Sequence, residues 1–149
     1  MLKLEEQIEQ KLTEALRARN ELAKGTYRLL KAAIKNERIR LGKEFTEADL
    51  LKVLRRELKK RHEASVAFQQ GHKPESANQE LAEAELIKEL LPKELTEEEI
   101  VKVIQSVISE GNLAGPESFG LAMKKVMAKL AGRAEGSLVS KLLKDQLSL

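Results

Sequence analysis

Two parts of this sequence meet at the stretch LLPKELTEEE, residues 90–99. Pro92 disfavours helical backbone at the residue before it, so a helix that reaches this point should end there. Thr96 and Glu99 are spaced as a capping box, in which each side chain accepts a hydrogen bond from the backbone N–H of the other residue. One helix is therefore predicted to end and another to begin within a few residues, which is typical of a boundary between domains.

Four helices are predicted before this stretch, because apolar residues recur there at intervals of three and four. Gly42 and the segment Gly71-His72-Lys73-Pro74 interrupt the pattern, and Thr46 with Asp49 resembles a capping box. Proline suits the first position of a helix, where its missing N–H costs nothing. The predicted helices cover about residues 3–18, 21–41, 47–70 and 75–91.

Three shorter helices are predicted after the stretch. The first should end at Gly111, and Pro116 is expected to begin the second. Gly132 fits the left-handed position that closes many helices. Ser137 is typical of a residue that caps the start of a helix, and the third short helix should cover about residues 138–147.

The composition also favours helices. Leu, Ala, Lys and Glu dominate the 149 residues and aromatic residues make up only 3% of them, which argues against a large sheet. The predicted fold class is therefore all-α. An elongated N-terminal four-helix region would cover residues 1–91, and a compact C-terminal three-helix domain would cover residues 96–149, with residues 92–95 joining them.

Charge is distributed unevenly along the chain. The net charge is +3, but residues 1–74 carry 18 basic and 11 acidic side chains, residues 75–99 carry two and nine, and residues 100–149 carry seven and four. A basic arm, an acidic middle and a mildly basic tail therefore follow one another. The acidic block could lie near the basic arm and reduce its field, which would oppose nucleic-acid binding.

Several classes of protein are disfavoured by the sequence. No apolar run approaches 18 residues and the N-terminus lacks the apolar region of a signal peptide, so neither a membrane span nor secretion is expected. The absence of cysteine excludes disulfides and cysteine metal sites, and it fits a cytoplasmic protein.

No residues of an active site can be assigned. The chain has no cysteine nucleophile, no Gly-rich phosphate loop, and two histidines far apart at His62 and His72. A run of glutamates in the fourth helix is expected to be a solvated face rather than a metal site, since no histidine accompanies it. The sequence therefore predicts no catalytic residue, no metal and no cofactor on this chain.

One candidate binding surface lies on the third predicted helix. Its residues fall at i, i+3, i+4, i+7 and i+8, which places them on a single helix face. They are Lys52, Arg55, Arg56, Lys59 and Lys60. Such a face suits phosphate groups, but it could equally pair with the acidic fourth helix, and the sequence leaves both interpretations open.

A second candidate surface surrounds the corner between the last two helices. Its basic residues are Lys124, Lys125, Lys129, Arg133 and Lys141, and its turn residues are Gly120, Gly132 and Gly136. Glycines at a helix corner allow another backbone to come close, and the neighbouring lysines suit a phosphate backbone. The alternative is that the glycines are conformational requirements and the lysines only solvate the helix.

The same segment resembles a family signature. The family pattern is Gly-x-x-Met-x-x-Val-Met, then Gly-Arg-Ala-Asp-Gly, then Leu-Val. This sequence matches it at Gly120, Met123, Val126, Met127, Gly132, Arg133, Ala134, Gly136, Leu138 and Val139. It departs at Glu135, where Asp is usual, and at Leu121, where lysine is usual. With further similar blocks at residues 28–36, 54–61 and 90–99, the chain is identified as a member of the YqeY family.

The resemblance carries functional implications. The C-terminal segment is similar to the tail domain of the B subunit of tRNA-dependent amidotransferases, which contacts the tRNA elbow. It implies a tRNA-binding accessory protein related to the glutamine-dependent carbon–nitrogen ligases that amidate aminoacyl-tRNA. The chemistry would reside in partner subunits. The implied partners are tRNA and amidotransferase or aminoacyl-tRNA synthetase subunits, with no membrane. The alternative is a protein–protein adaptor without RNA contact.

Overall fold

The computed structural model describes all residues from Met1 to Leu149. It contains seven α-helices, one short 3-10 helix and no strand, which confirms the predicted all-α class. The α-helices are α1 (Lys3–Arg17), α2 (Glu21–Leu41), α3 (Glu47–Gln70), α4 (Pro74–Leu90), α5 (Glu97–Gly111), α6 (Phe119–Leu130) and α7 (Gly136–Gln146). None of them is both long and apolar enough to cross a membrane.

The helices group into two compact units. The N-terminal unit is Met1–Leu91 and contains α1 to α4, whereas the C-terminal unit is Pro92–Leu149 and contains α5 to α7. The division into two domains joined by residues 92–95 stays a prediction.

The N-terminal unit is built from pairs of packed helices, with α1 against α2 and α3 against α4. In α1 the buried residues recur every three or four positions, so one face of the helix enters the core. They are Leu4, Ile8, Leu12 and Ala15. Leu30 of α2, Leu54 of α3 and Ile87 of α4 are fully buried in the same core.

A charged group is also buried between α3 and α4. Arg61 is only 8% exposed, and its guanidinium lies 3.5 Å from a carboxylate oxygen of Glu57 and 3.7 Å from one of Glu83. A buried charge is costly unless it is paired. Glu83 of α4 must therefore face α3, and the pair aligns the two helices.

The C-terminal unit encloses a smaller core. Each helix contributes a row of buried aliphatic side chains, and together they exclude water from the centre of the three-helix unit. The fully buried members are Ile100, Ile104, Ala122, Val126, Val139 and Leu143. At the start of α5, Thr96 and Glu99 form the predicted capping box, with N–O distances of 2.9 and 3.2 Å.

Two predicted helix starts are wrong in detail. Pro116 begins a 3-10 turn, Pro116–Ser118, in which the Ser118 amide donates to the carbonyl of Gly115, and α6 begins only after it. Ser137 does not cap α7. The extended backbone of Glu135 precedes the helix, so α7 begins at Gly136 and Ser137 already lies inside it.

Two consecutive left-handed residues form the corner after α6. Gly132 has a φ of 79°, which confirms the predicted left-handed glycine, and Ala131 before it has a φ of 48°. The Ala131 amide still donates to Met127 and the Arg133 amide to Leu130. The left-handed conformation is strained for alanine and unstrained for glycine.

Substitutions at the corner should therefore differ in effect. Gly132→Ala should lower the free energy of unfolding by about 1–2 kcal/mol, because it places a Cβ on left-handed backbone. Ala131→Gly should change it by less than about 0.5 kcal/mol, because relief of strain is offset by the flexibility of glycine in the unfolded chain. Urea denaturation of both variants checks this, and equal losses would contradict the assigned backbone.

Candidate nucleic-acid interface

The lysines of the second candidate surface project from the outer side of α6. This helix buries one row of residues at intervals of four, Ala122, Val126 and Leu130. Lys124, Lys125 and Lys129 lie outside that row and are exposed. The structure therefore places three of the predicted cations on one short exposed helix.

These three lysines differ in how far they are neutralised. Lys129 Nζ lies 3.3 Å from a carboxylate oxygen of Glu110 on α5. A hydrogen bond from Ser106, together with one from Lys129, lowers the pKa of Glu110, and the charges of Lys129 and Lys125 add to the effect. Lys124 and Lys125 themselves form no ion pair, so they keep their charge available for a ligand.

Lys125 and Lys129 border a groove between α5 and α6. The groove has a volume of about 320 Å³, and Glu110 also lines it. Its single carboxylate faces two ammonium groups, so the groove has a net positive charge. An anion could approach it more easily than a cation could.

Arg133 is held in place at the corner after α6. Its Nε donates to the carbonyl of Lys93 at 3.2 Å, and its own carbonyl accepts from the amide of Leu95 at 2.9 Å. The side chain is exposed, and this bond uses one of its five N–H donors. The guanidinium is thus positioned with donors left over for an anionic ligand.

Lys141 lies on a different helix. It is exposed on α7, two residues from the buried Val139 and Leu143, which places it on the side of α7 opposite the core. It makes no ion pair or hydrogen bond with the α6 lysines. Its membership of one continuous surface with them stays a prediction.

The three glycines of this surface are not equivalent. Only Gly132 has a positive φ. A Cβ at Gly120 would meet nothing within 4 Å, and a Cβ at Gly136 would make an ordinary 3.9 Å contact with Met127. The interpretation of all three as conformational requirements is therefore wrong for Gly120 and Gly136, whose backbone any residue could adopt.

The first candidate surface, on α3, has ion-pair partners of its own. Its exposed cations Arg56, Lys59 and Lys60 lie 3.3, 4.0 and 3.2 Å from carboxylates of Glu37, Glu63 and Glu57. Those partners belong to α2 and α3. None of these three cations pairs with the acidic fourth helix, which the buried Arg61 reaches, and pairing of the whole face with α4 stays a prediction. Lys52 is exposed and Arg55 is half-buried on the same helix.

Glu37 joins the cationic residues of α2 and α3. Its carboxylate accepts a hydrogen bond from Arg40 Nε at 3.0 Å and one from Arg56 Nη2 at 3.3 Å. The hydrogen bond from Arg40, supported by Arg56, lowers the pKa of Glu37 to about 2. Sequence reasoning missed Arg40, because only the packing of α2 against α3 brings it to this surface.

The arrangement defines a class of protein. It is an all-helical chain of two units, each with exposed cations on a helix face, and its described residues hold no cluster of side chains that could bind a metal. A family model described as Yqey-like protein matches residues 5–147. The chain belongs to the YqeY family, which confirms the resemblance seen in the sequence.

A similarity to one component of an amidotransferase accompanies the family match. The chain is 32% identical over 88 residues to the E subunit of the glutamyl-tRNA(Gln) amidotransferase of Thermococcus gammatolerans. The match covers 56% of this chain but only 14% of that protein. The chain is thus similar to a small part of a much longer protein.

Titration of Glu37 tests its pairing with Arg40 within α2 and with Arg56 of α3. Because its pKa is depressed from 4.5 to about 2, its pairing should stabilise the fold above pH 4.5, with the effect lost as the pH falls towards 2. Arg40→Gln should raise the carboxyl pKa more than Arg56→Gln does, as measured by NMR titration. Lys59→Gln is the control, and an equal effect of all three variants would contradict the geometry.

Proposed function

We propose that this chain is a tRNA-binding accessory protein that works alongside an amidotransferase or a related tRNA enzyme. The observation that carries the proposal is the outer side of α6, where Lys124 and Lys125 are exposed without ion pairs. Arg133 stands at the end of the same helix, fixed through its Nε. The family relationship and the similarity to part of an amidotransferase support tRNA as the ligand.

The chemistry of the surface suits an RNA backbone. Unpaired ammonium groups and a guanidinium bind phosphates by charge and hydrogen bonding, without reading bases. Recognition by stacking has little support, because Tyr27 and Phe45 are buried and Phe68 and Phe119 are half-buried. Folded RNA is recognised largely through its shape and its backbone, which is the contact that such a surface can make.

The chemical step belongs to a partner under this proposal. Amide transfer from glutamine requires an activated nucleophile. This chain has no cysteine, and none of its serines lies in a Gly/Ser-rich segment of the kind that builds a Ser-Ser-Lys site. The carbon–nitrogen ligase activity would therefore reside in the partner subunits. This chain would contribute affinity for tRNA and so increase the time that the tRNA spends near them.

Charge reversal on α6 tests the proposal. The triple variant Lys124→Glu, Lys125→Glu, Arg133→Glu should weaken binding to total tRNA at least about tenfold, because three phosphate contacts become repulsive. The slope of log affinity against log salt should fall by about two to three units. Fluorescence anisotropy with labelled tRNA across a salt series measures both, with a length-matched DNA duplex as competitor.

A matched control separates this surface from net charge. Lys3→Glu, Lys11→Glu, Arg19→Glu makes the same change in charge within the N-terminal unit and should leave the affinity nearly unchanged. Equal losses in both triple variants would mean that binding follows only the net charge. If the native chain binds neither tRNA nor the duplex, tRNA binding is refuted, and a protein adaptor without RNA contact becomes the better interpretation.

A further inference from the structure

A groove between α2 and α4 has chemistry opposite to that of the cationic surfaces. It has a volume of about 620 Å³ and lies entirely within the N-terminal unit. The side of α2 contributes Leu22, Gly25 and Leu29, and α4 contributes Glu75 and Glu83. Nothing in the proposed tRNA contact uses this groove.

The groove is electronegative. Its lining includes Glu21, Glu75 and Glu83 and no lysine or arginine. Glu21 is paired with Lys24 at 2.6 Å and Glu83 with Arg61 at 3.7 Å, whereas Glu75 is exposed and forms no ion pair. An RNA backbone would be repelled from this lining, and a cationic side chain would be attracted to it.

The α2 side of the groove is apolar. The spacing of Leu22, Gly25 and Leu29 places the three residues on one side of the helix. Leu29 is 52% exposed, so about half of its surface is available to a partner. The stretch is about 11 Å long, two helical turns, and it can bury two or three apolar side chains of a partner.

Gly25 supplies the most specific indication. It lies inside α2, its φ is not positive, and a Cβ built there would meet nothing within 4 Å. The fold of this chain therefore does not require glycine, although glycine weakens a helix relative to alanine. The missing side chain leaves open space in the groove that a partner's side chain can occupy.

We propose that this groove binds a basic amphipathic helix of a partner protein. Apolar side chains spaced at i, i+3 or i+4, and i+7 on that helix would contact Leu22 and Leu29 and enter the space beside Gly25. Its lysines or arginines would pair with Glu75 and would compete with Lys24 for Glu21. The groove is separate from the α6 lysines, so one chain has distinct surfaces for a cationic helix and for an anionic ligand.

The test uses the full chain and a synthetic peptide. The probe is a fluorescein-labelled helical peptide of about 18 residues, with leucines at i, i+3, i+4 and i+7 spacing and lysines elsewhere. About two to three of its turns would contact the groove. Its control peptide has glutamate in place of every lysine. Anisotropy should show saturable binding of the lysine peptide and at least about tenfold weaker binding of the glutamate peptide.

Charge reversal should localise the binding. Glu21→Lys with Glu75→Lys should weaken binding of the lysine peptide at least about tenfold, since like charges then face each other. Glu97→Lys with Glu98→Lys is the matched control. It changes the net charge equally and also replaces glutamates in the first turn of a helix, so both pairs carry a similar cost in helix stability. The control should bind as the native chain does.

Filling the groove separates binding from stability. Gly25→Gln should raise the melting temperature of the chain, because glutamine favours helix more than glycine does. It should nevertheless weaken peptide binding at least about tenfold, because the added side chain fills the groove. Gly120→Gln makes the same change at another helical glycine with open space around it and should leave peptide binding unchanged.

The proposal would be overturned by three results. The first is the absence of saturable binding at about 1 mM peptide. The second is an equal loss of peptide affinity in the two charge-reversal pairs, and the third is an unchanged peptide affinity of Gly25→Gln. Measurement of tRNA affinity on the same variants keeps the two proposals apart. Gly25→Gln should retain the native tRNA affinity, so loss of peptide binding alone reports on the groove.

Discussion

The buried guanidinium of Arg61 is the constraint on which the N-terminal unit depends. Glu57 one turn before it and Glu83 on α4 both approach it within 4 Å, and loss of both partners would leave an unpaired buried charge at a cost of roughly 3–5 kcal/mol. This ion pair adds to the aliphatic packing between α3 and α4 the requirement that a carboxylate of α4 reach the guanidinium. The ion pair therefore determines which side of α4 faces α3. The same rotation of α4 brings Glu75 to the groove beside α2.

The surfaces of this protein differ in how far their cations are neutralised by carboxylates, which the net charge does not reveal. The cations of α2 and α3 are partly neutralised, since one carboxylate, Glu37, holds both Arg40 and Arg56. On α6, only Lys129 has a carboxylate partner, while Lys124 and Lys125 have none. Phosphate binding depends on cations that can exchange water and counterions for the ligand. For this reason Lys124 and Lys125 offer more available charge than the paired Arg40 and Arg56 do.

The chain belongs to the YqeY family and is similar to a small part of one subunit of a glutamyl-tRNA(Gln) amidotransferase. The two proposed surfaces would divide the work of an accessory protein. A cationic helix face suits a folded RNA, and an acidic groove with an apolar side suits a helix of a protein. Each surface uses side chains of a single unit, so each can be altered without changing the residues of the other.

The sequence by itself determined the number and extent of the helices, because helical periodicity, Pro92, Gly42 and the Thr96–Glu99 capping box act over only a few residues. It also determined the family, through the motif around Arg133. The local signal failed at Pro116, where a 3-10 turn stands in place of the expected first turn of α6. Only the tertiary structure decided which carboxylate pairs with which cation and that Gly25 borders an open groove. Those outcomes depend on how one helix is rotated and aligned against another. Residues far apart in sequence jointly determine that rotation and alignment.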